Sequence, residues 1–331
     1  MTCYDPHRRA IRYLRVSVTD RCNLRCVYCM PSAGVPARGH DEILRYEEIE
    51  QVVRAAAALG IHKVRLTGGE PLARLKLVDL VRMLSAIPGI DDLSMTTNGI
   101  LLSRYAADLK RAGLKRVNVS LDTLRPERYR QITRRGDLAD ALSGIEAAGR
   151  AGLDPVKINA VIIRGLNADE VIDLAYRTVS DGWHVRFIEW MPVGESIAGA
   201  GEWEDGMVTA HEMRSQIEAA LGPLTPASMR AGAGPARYYR LPGARGTVGF
   251  ISALSEHFCD TCNRLRLTAD GKLRPCLFSS HEIDLRTPLR AGAGEAEIEA
   301  LLAQAIAAKP KGHHLREHEA VHDRTMSQIG G

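Results

Sequence analysis

Six of the seven cysteines fall in two groups of three: Cys22, Cys26, Cys29 and Cys259, Cys262, Cys276. In CNLRCVYC the spacing is three residues and then two, so one tight loop can turn three thiolates onto a single inorganic centre. No fourth cysteine lies near. Three thiolates on a [4Fe–4S] cube leave one iron with an open position, where a substrate can bind. A zinc ion completed by a distant histidine, or cysteines that only fill core space, are the competing readings. The second group, Cys259-x2-Cys262-x13-Cys276, has His257 two residues ahead of it. A Cys3His zinc site therefore competes there with a second cluster. Cys3 stands apart and reads as an ordinary thiol.

Cations recur around these cysteines. Arg264 and Arg266 lie two apart in a strand-like run and so face one side. Guanidinium forks match phosphate oxygens, although a solvated strand face is the plainer alternative. Arg15, Arg65 and Lys157 sit inside expected strands. A cation aimed into a barrel lumen needs an anionic partner, because burying it unpaired is costly. Each could singly be a strand-end surface charge, but together they suggest a polyanionic ligand such as a triphosphate.

The elements that must position these groups alternate along the chain. Strands are expected at YLRVSV (13–18), KVRLT (63–67), DLSMTT (92–97), RVNVS (116–120), VKINAVI (156–162) and HVRFIEW (184–190). Helical patterns lie between them at 46–59, 76–87, 101–112, 139–151 and 168–180. Repeated strand–helix–strand units imply a parallel sheet. About six such units are too few for an eight-fold barrel. The expected fold is therefore α/β, a partial (β/α)6 barrel of the TIM type, with a doubly wound sheet as the alternative. In both, ligands sit at the C-terminal ends of the strands. Those ends carry TGGEP (67–71), TTNG (96–99) and SLD (120–122).

The pattern loosens after about residue 195, and the AGAG stretches at 198–201, 231–234 and 291–294 read as loops. The chain contains no GxGxxG after a strand and no GxxxxGK[ST], so dinucleotide-binding and P-loop chemistry are unsupported. RYYRL, TVGFISAL and RLRLTADGKLRPCLF read as short strands, with Asp270-Gly271 as a hairpin turn. We expect a barrel domain over residues 1–230. A small α+β extension over 231–331 would close its mouth. Residues 309–324 concentrate basic and histidine side chains and read as a solvated segment.

A net charge of +4 is too mild to imply nucleic acid, and it fits a local anion pocket equally well. MTCYDPHRRAIRYL lacks an apolar core, which argues against a secretory signal. No run approaches the roughly 18 apolar residues of a membrane span. A cytoplasmic protein with reduced thiols is expected, in which grouped cysteines mean metal or redox chemistry.

CxxxCxxC with Tyr28 before the last cysteine, followed by Gly68-Gly69-Glu70-Pro71, resembles the radical S-adenosylmethionine enzymes. The two cysteine triplets, NRLRLTADGKLRPCL, FIEWMPVG (187–194) and the closing Ile329-Gly330-Gly331 carry the likeness further. Over essentially the whole chain they resemble the GTP 3′,8-cyclase family of molybdenum cofactor biosynthesis. That resemblance implies two [4Fe–4S] clusters, S-adenosylmethionine on the first and the guanine of GTP on the second. It assigns Tyr28, Gly69, Ser120 and Met191 to S-adenosylmethionine. It assigns Arg15, Arg65, Thr96, Lys157, Arg264, Leu265 and Arg266 to GTP, and brings the Gly330-Gly331 tail into the active site. His257 then reads as a neighbour of the second site and not as a ligand.

The implied chemistry is removal of the 3′ hydrogen of GTP by a 5′-deoxyadenosyl radical, followed by closure onto C8. A flavodoxin-like electron donor and a downstream cyclic pyranopterin monophosphate synthase are the implied partners, and a homodimer is compatible with it. Two rival readings remain: a peptide-modifying radical enzyme with an auxiliary cluster, and a zinc-stabilised nucleotide-binding module.

Overall fold

The structure, a computed structural model, describes residues 2–36, 38–193, 203–229, 234–313 and 324–330. Six strands form its centre: β1 (Tyr13–Ser17), β2 (Lys63–Thr67), β3 (Asp92–Thr97), β4 (Arg116–Ser120), β5 (Lys157–Ile162) and β6 (His184–Glu189). Each pairs in parallel with the next. The crossovers are α1 (Tyr46–Ala58), α2 (Leu77–Ser85), α3 (Leu102–Arg111), α4 (Pro126–Thr133), α5 (Leu138–Arg150) and α6 (Val171–Ser180). The six expected strands are found within a residue of their expected bounds. Helix α4 was not anticipated. Its sequence, PERYRQIT, has too few apolar positions for a periodic signal, and Pro126 at its first turn sets it instead.

Beyond β6 the chain forms α7 (Trp203–Gly206), α8 (Ala210–Leu221), β7 (Thr225–Pro226), β8 (Arg237–Arg240) and β9 (Thr247–Ile251). It continues through β10 (Arg264–Leu267), β11 (Lys272–Arg274), β12 (Ile283–Asp284), α9 (Arg286–Arg290) and α10 (Glu295–Ala307). These strands join the central sheet, which runs β12-β11-β10-β1-β2-β3-β4-β5-β6-β9-β8-β7. Strand β9 lies parallel to β6, and β10 lies parallel to β1. The C-terminal part thus continues both edges of the six-stranded unit, covering backbone groups that an exposed edge would leave unpaired. Among the described residues the sheet does not close, so it is a partial barrel of the TIM type. β10 and β11 form the expected hairpin, with Gly271 at φ +80° in its turn. No helix of the described residues is long and apolar enough to cross a membrane.

Strand periodicity sorts the side chains. Leu14, Val16, Val64, Leu66, Leu93, Met95, Val117, Val119, Ile158, Val185, Phe187, Leu265 and Leu267 are buried under the helices in one large apolar core. Alternate positions face the lumen: Arg15, Arg65, Thr96, Ser120, Lys157, Asn159, Arg186, Arg264 and Arg266. Truncating a core leucine such as Leu66 to Ala would cost about 2–5 kcal/mol, and that apolar face fixes the register that turns the cations inward.

Candidate active site

The first cysteine loop is held by backbone bonds to the end of α4. The amide of Arg25 donates to the Thr133 carbonyl, and that of Val27 to Ile132, both at 2.9 Å. The Cys29 amide donates to the Cys26 carbonyl at 3.0 Å, closing the turn. Cys22 Sγ accepts from the Leu24 amide at 3.3 Å. Burial pushes the Cys22 thiol up to about 11 and the Cys29 thiol up to about 12, and it raises Cys26 well above its ordinary value. Buried thiols of this kind lose their protons when a metal centre takes them as ligands.

The GGEP turn packs directly against this loop. Gly68, at φ +151°, would put a Cβ 2.4 Å from the Thr19 carbonyl oxygen. A Cβ on Gly69 would lie 2.3 Å from the Arg21 carbonyl. Only glycine permits that approach. The buried Glu70 carboxylate accepts from the Leu72 amide at 3.0 Å, Thr97 Oγ1 at 2.7 Å and the Asn98 amide at 2.7 Å. It thereby joins the ends of β2 and β3, and burial pushes it up to about 7. Tyr28 Oη donates to Asp122 Oδ2 at 2.7 Å, and Asp122 Oδ1 accepts from the Val161 amide at 2.8 Å. Burial pushes Asp122 up to about 6.

The second triplet lies across the same lumen. Arg9, buried and paired with Asp5, donates to the carbonyls of Cys259 (2.8 Å), Lys311 (2.9 Å) and Pro310 (2.6 Å). Lys309 Nζ donates to the Arg264 and Pro275 carbonyls at 2.8 and 2.7 Å, tying the two stretches that carry Cys262 and Cys276. Burial raises Cys262, but Arg264 and Lys309 outweigh it, and the thiol lies at about 6. Glu189, at the end of β6, accepts from the Ala210, Leu254 and Ser255 amides at 2.9, 3.0 and 3.0 Å. It anchors the turn that leads to this triplet.

All six cysteines line one cavity of about 290 Å³, and all are free thiols. Tyr28, Gly69, Ser120 and Met191 line it, as do Arg15, Arg65, Thr96, Lys157, Arg264 and Arg266. Leu265 does not. Its side chain is fully buried in the apolar core, so only its main chain can meet a ligand. Gly330 lies behind the wall at φ +69°, where its carbonyl accepts from Arg266 Nη1 at 2.8 Å. Ser327, on the same tail, lines the cavity. Gly331 lies outside the described residues. His257 is absent from the lining, whereas His313, whose ring centroid is 5.9 Å from that of His257, is present. Among the described residues no three Cys, His, Asp or Glu side chains converge as a single ion requires. Two trios of free thiols around one lumen fit two larger clusters.

Sequence reasoning overlooked Arg186, Asn159, Tyr238 and Lys309, all in the lining. Arg186 lies in an expected strand and faces the lumen as Arg15 and Lys157 do, so the signal was there. It is buried, and its Nε and Nη2 have no hydrogen-bond partner among the described residues, nor has Nε of Arg65. Buried donors without acceptors are costly unless a ligand supplies them. Burial, followed by Arg186, Arg116 and Arg65, lowers Lys157 to about 6, and burial lowers Arg186 to about 10.

A partial barrel, a three-cysteine loop at the end of β1 and a glycine cradle beside it define a radical S-adenosylmethionine enzyme. Residues 16–176 match the model of the radical SAM superfamily, and residues 183–315 match that of Molybdenum Cofactor Synthesis C. More particularly, the chain belongs to the GTP 3′,8-cyclase family. It is 61% identical to the GTP 3′,8-cyclase of Pelotomaculum thermopropionicum and 54% identical to that of Moorella thermoacetica, over 99% of this chain and of each relative. Among solved structures it resembles Streptococcus suis SuiB bound to S-adenosylmethionine, at a TM-score of 0.61 and 13% identity, covering 98% of this chain and 79% of the other. That likeness shows the fold.

Proposed function

We propose that the chain converts GTP into (8S)-3′,8-cyclo-7,8-dihydroguanosine 5′-triphosphate, with S-adenosylmethionine as co-substrate, at the start of molybdenum cofactor biosynthesis. The observation that carries this reading is the union, in one lumen, of both cysteine triplets and a wall of buried cations. When bound at Cys22, Cys26 and Cys29, a [4Fe–4S] cluster supplies the electron that cleaves S-adenosylmethionine to methionine and a 5′-deoxyadenosyl radical.

The protein's share is placement and exclusion of water. Gly68 and Gly69 leave room for the amino-acid end of S-adenosylmethionine, and Tyr28, Ser120 and Met191 surround the rest. Cys259, Cys262 and Cys276 would hold the second cluster, and the chemistry it would supply is a binding position for the guanine. Arg15, Arg65, Lys157, Arg186, Arg264 and Arg266 receive the triphosphate, with Thr96 beside them. The C-terminal glycines act from beside Arg266, which donates to the Gly330 carbonyl. A peptide-modifying enzyme would have no use for these cations. A reduced flavodoxin-like donor supplies the electrons, and a cyclic pyranopterin monophosphate synthase consumes the product.

The test is anaerobic reconstitution, reduction with dithionite and incubation with S-adenosylmethionine and GTP. The expected result is 5′-deoxyadenosine together with a product isomeric with GTP. Cleavage of S-adenosylmethionine with GTP left unchanged would overturn the proposal.

A further inference from the structure

The first cysteine loop has an outer face as well as one on the lumen. Two arginines bind that outer face, Arg25 and Arg134, and the exposed Arg21 and Arg135 adjoin them in the chain. Arg25 Nη1 donates to the Cys22 carbonyl at 2.6 Å and the Leu24 carbonyl at 2.8 Å. Arg134 Nη1 donates to the carbonyls of Arg25 and Met30, both at 3.2 Å. Arg134 closes α4 at φ +56°, a left-handed conformation unfavourable for a side-chain-bearing residue. A Cβ on Gly136 would lie 2.8 Å from Leu24 Cδ2, so the 134–136 turn packs on the cysteine loop itself. Arg21, Arg134 and Arg135 are exposed and Arg25 is half-buried.

Among the described residues none of these four forms an ion pair, although the molecule pairs its surface arginines freely elsewhere. Arg54 meets Glu50, Arg82 meets Asp79, and Arg130, on α4 itself, meets Asp137. The result is a group of arginines without ion pairs beside the loop that carries Cys22, Cys26 and Cys29. Two substrates fill the lumen side, so an electron has to enter through this loop from outside.

We infer that this face is the docking surface for an acidic one-electron carrier protein. The inference rests on the radical chemistry of the Proposed function. Each encounter moves one electron from the reduced carrier to the centre held by the three thiolates. The carrier leaves oxidised by one electron, and no proton or group crosses. Charge complementarity of this kind sets the encounter rate and its salt dependence.

The experiment uses flavodoxin as the probe on the full-length protein and on two variants, Arg135→Glu and Arg134→Glu/Arg135→Glu. Binding of oxidised flavodoxin is followed by flavin fluorescence, which does not depend on the protein being active. The expected result is tight binding at low salt that weakens as ionic strength rises. In the double variant the affinity should fall about tenfold or more, and its salt dependence should flatten. In Arg135→Glu, cleavage of S-adenosylmethionine driven by dithionite should stay within about twofold of the parent, while cleavage driven by reduced flavodoxin falls with the affinity. Equal flavodoxin affinity and equal salt dependence in parent and variants would overturn the inference. If the double variant loses iron, Arg135→Glu alone decides, because that side chain makes no hydrogen bond to the cysteine loop. Failure of the parent to convert GTP with dithionite would count against the Proposed function, and the binding comparison would still judge this surface.

Discussion

Arg15 and Arg266 are register partners on the adjacent parallel strands β1 and β10, although they come from opposite ends of the chain. Arg65 is the partner of Arg15 on its other side. Three guanidiniums therefore stand in one row across three strands. Burial lowers Arg15 well below its ordinary value, with Arg266 the next contribution, and burial lowers Arg266 to about 10. Within the chain, Arg266 finds the carbonyls of Ile329 and Gly330. A polyphosphate would satisfy the row as a whole.

Arg266→Ala should weaken GTP binding by about tenfold to a hundredfold, the loss of a charge-assisted bond worth about 1.5–3 kcal/mol. The ligand-free melting temperature should hold or rise, because a buried like charge is removed. Calorimetric titration with GTP and thermal melting decide together. Unchanged GTP affinity with both clusters assembled would remove the triphosphate from this row.

Lys157, at about 6 in the free protein, is neutral at pH 7.5. A triphosphate favours its ammonium form, so binding should take up a proton and affinity should decline as pH rises above about 6. Titration at pH 7.5 in two buffers of different ionisation enthalpy measures that uptake. It should vanish in Lys157→Met. No uptake in the parent would exclude Lys157 as a phosphate ligand.

Glu70 is raised from 4.5 to about 7 in the folded protein. A raised carboxyl contributes stability that is complete below the unfolded value and is lost as pH rises through the folded one. The window is therefore about pH 4.5 to 7, and the size is roughly 3 kcal/mol. Glu70→Gln keeps the shape but faces the Asn98 amide with a donor, so it should destabilise most near pH 5 and least near pH 8. Denaturant melts of the cluster-free protein across that range test it, and a pH-independent difference would refute the assignment.

Arg9→Leu should remove the clamp on Cys259 and leave Asp5 buried without its partner, at a cost of about 3–5 kcal/mol. Iron bound after reconstitution should fall by about half, and S-adenosylmethionine cleavage should persist at the first cluster. Full iron content in the variant would show that the clamp is dispensable for the second site.

Much of this was legible along the chain because strand periodicity is local. Leu14, Val16, Val64 and Leu66 mark one face of their strands, so Arg15 and Arg65 had to mark the other. Arg186 obeyed the same rule and was overlooked within HVRFIEW. The two cysteine spacings were equally plain, but zinc and iron–sulfur stood nearly level at the second triplet. Only the folded chain shows six thiols around one lumen and His257 outside its wall. Leu265 was carried along with its arginine neighbours, and its parity sends its side chain to the core.

The sequence by itself determined the six parallel strands, the two cysteine triplets and the inward cations, since apolar alternation and loop spacing act over a few residues. Tertiary structure alone decided that β10 lies beside β1 and that β9 lies beside β6. Parallel pairing between distant segments leaves no trace in local pattern; it follows from covering both open edges of the sheet. That pairing brings Arg266 into register with Arg15 and sets the second triplet across the lumen from the first.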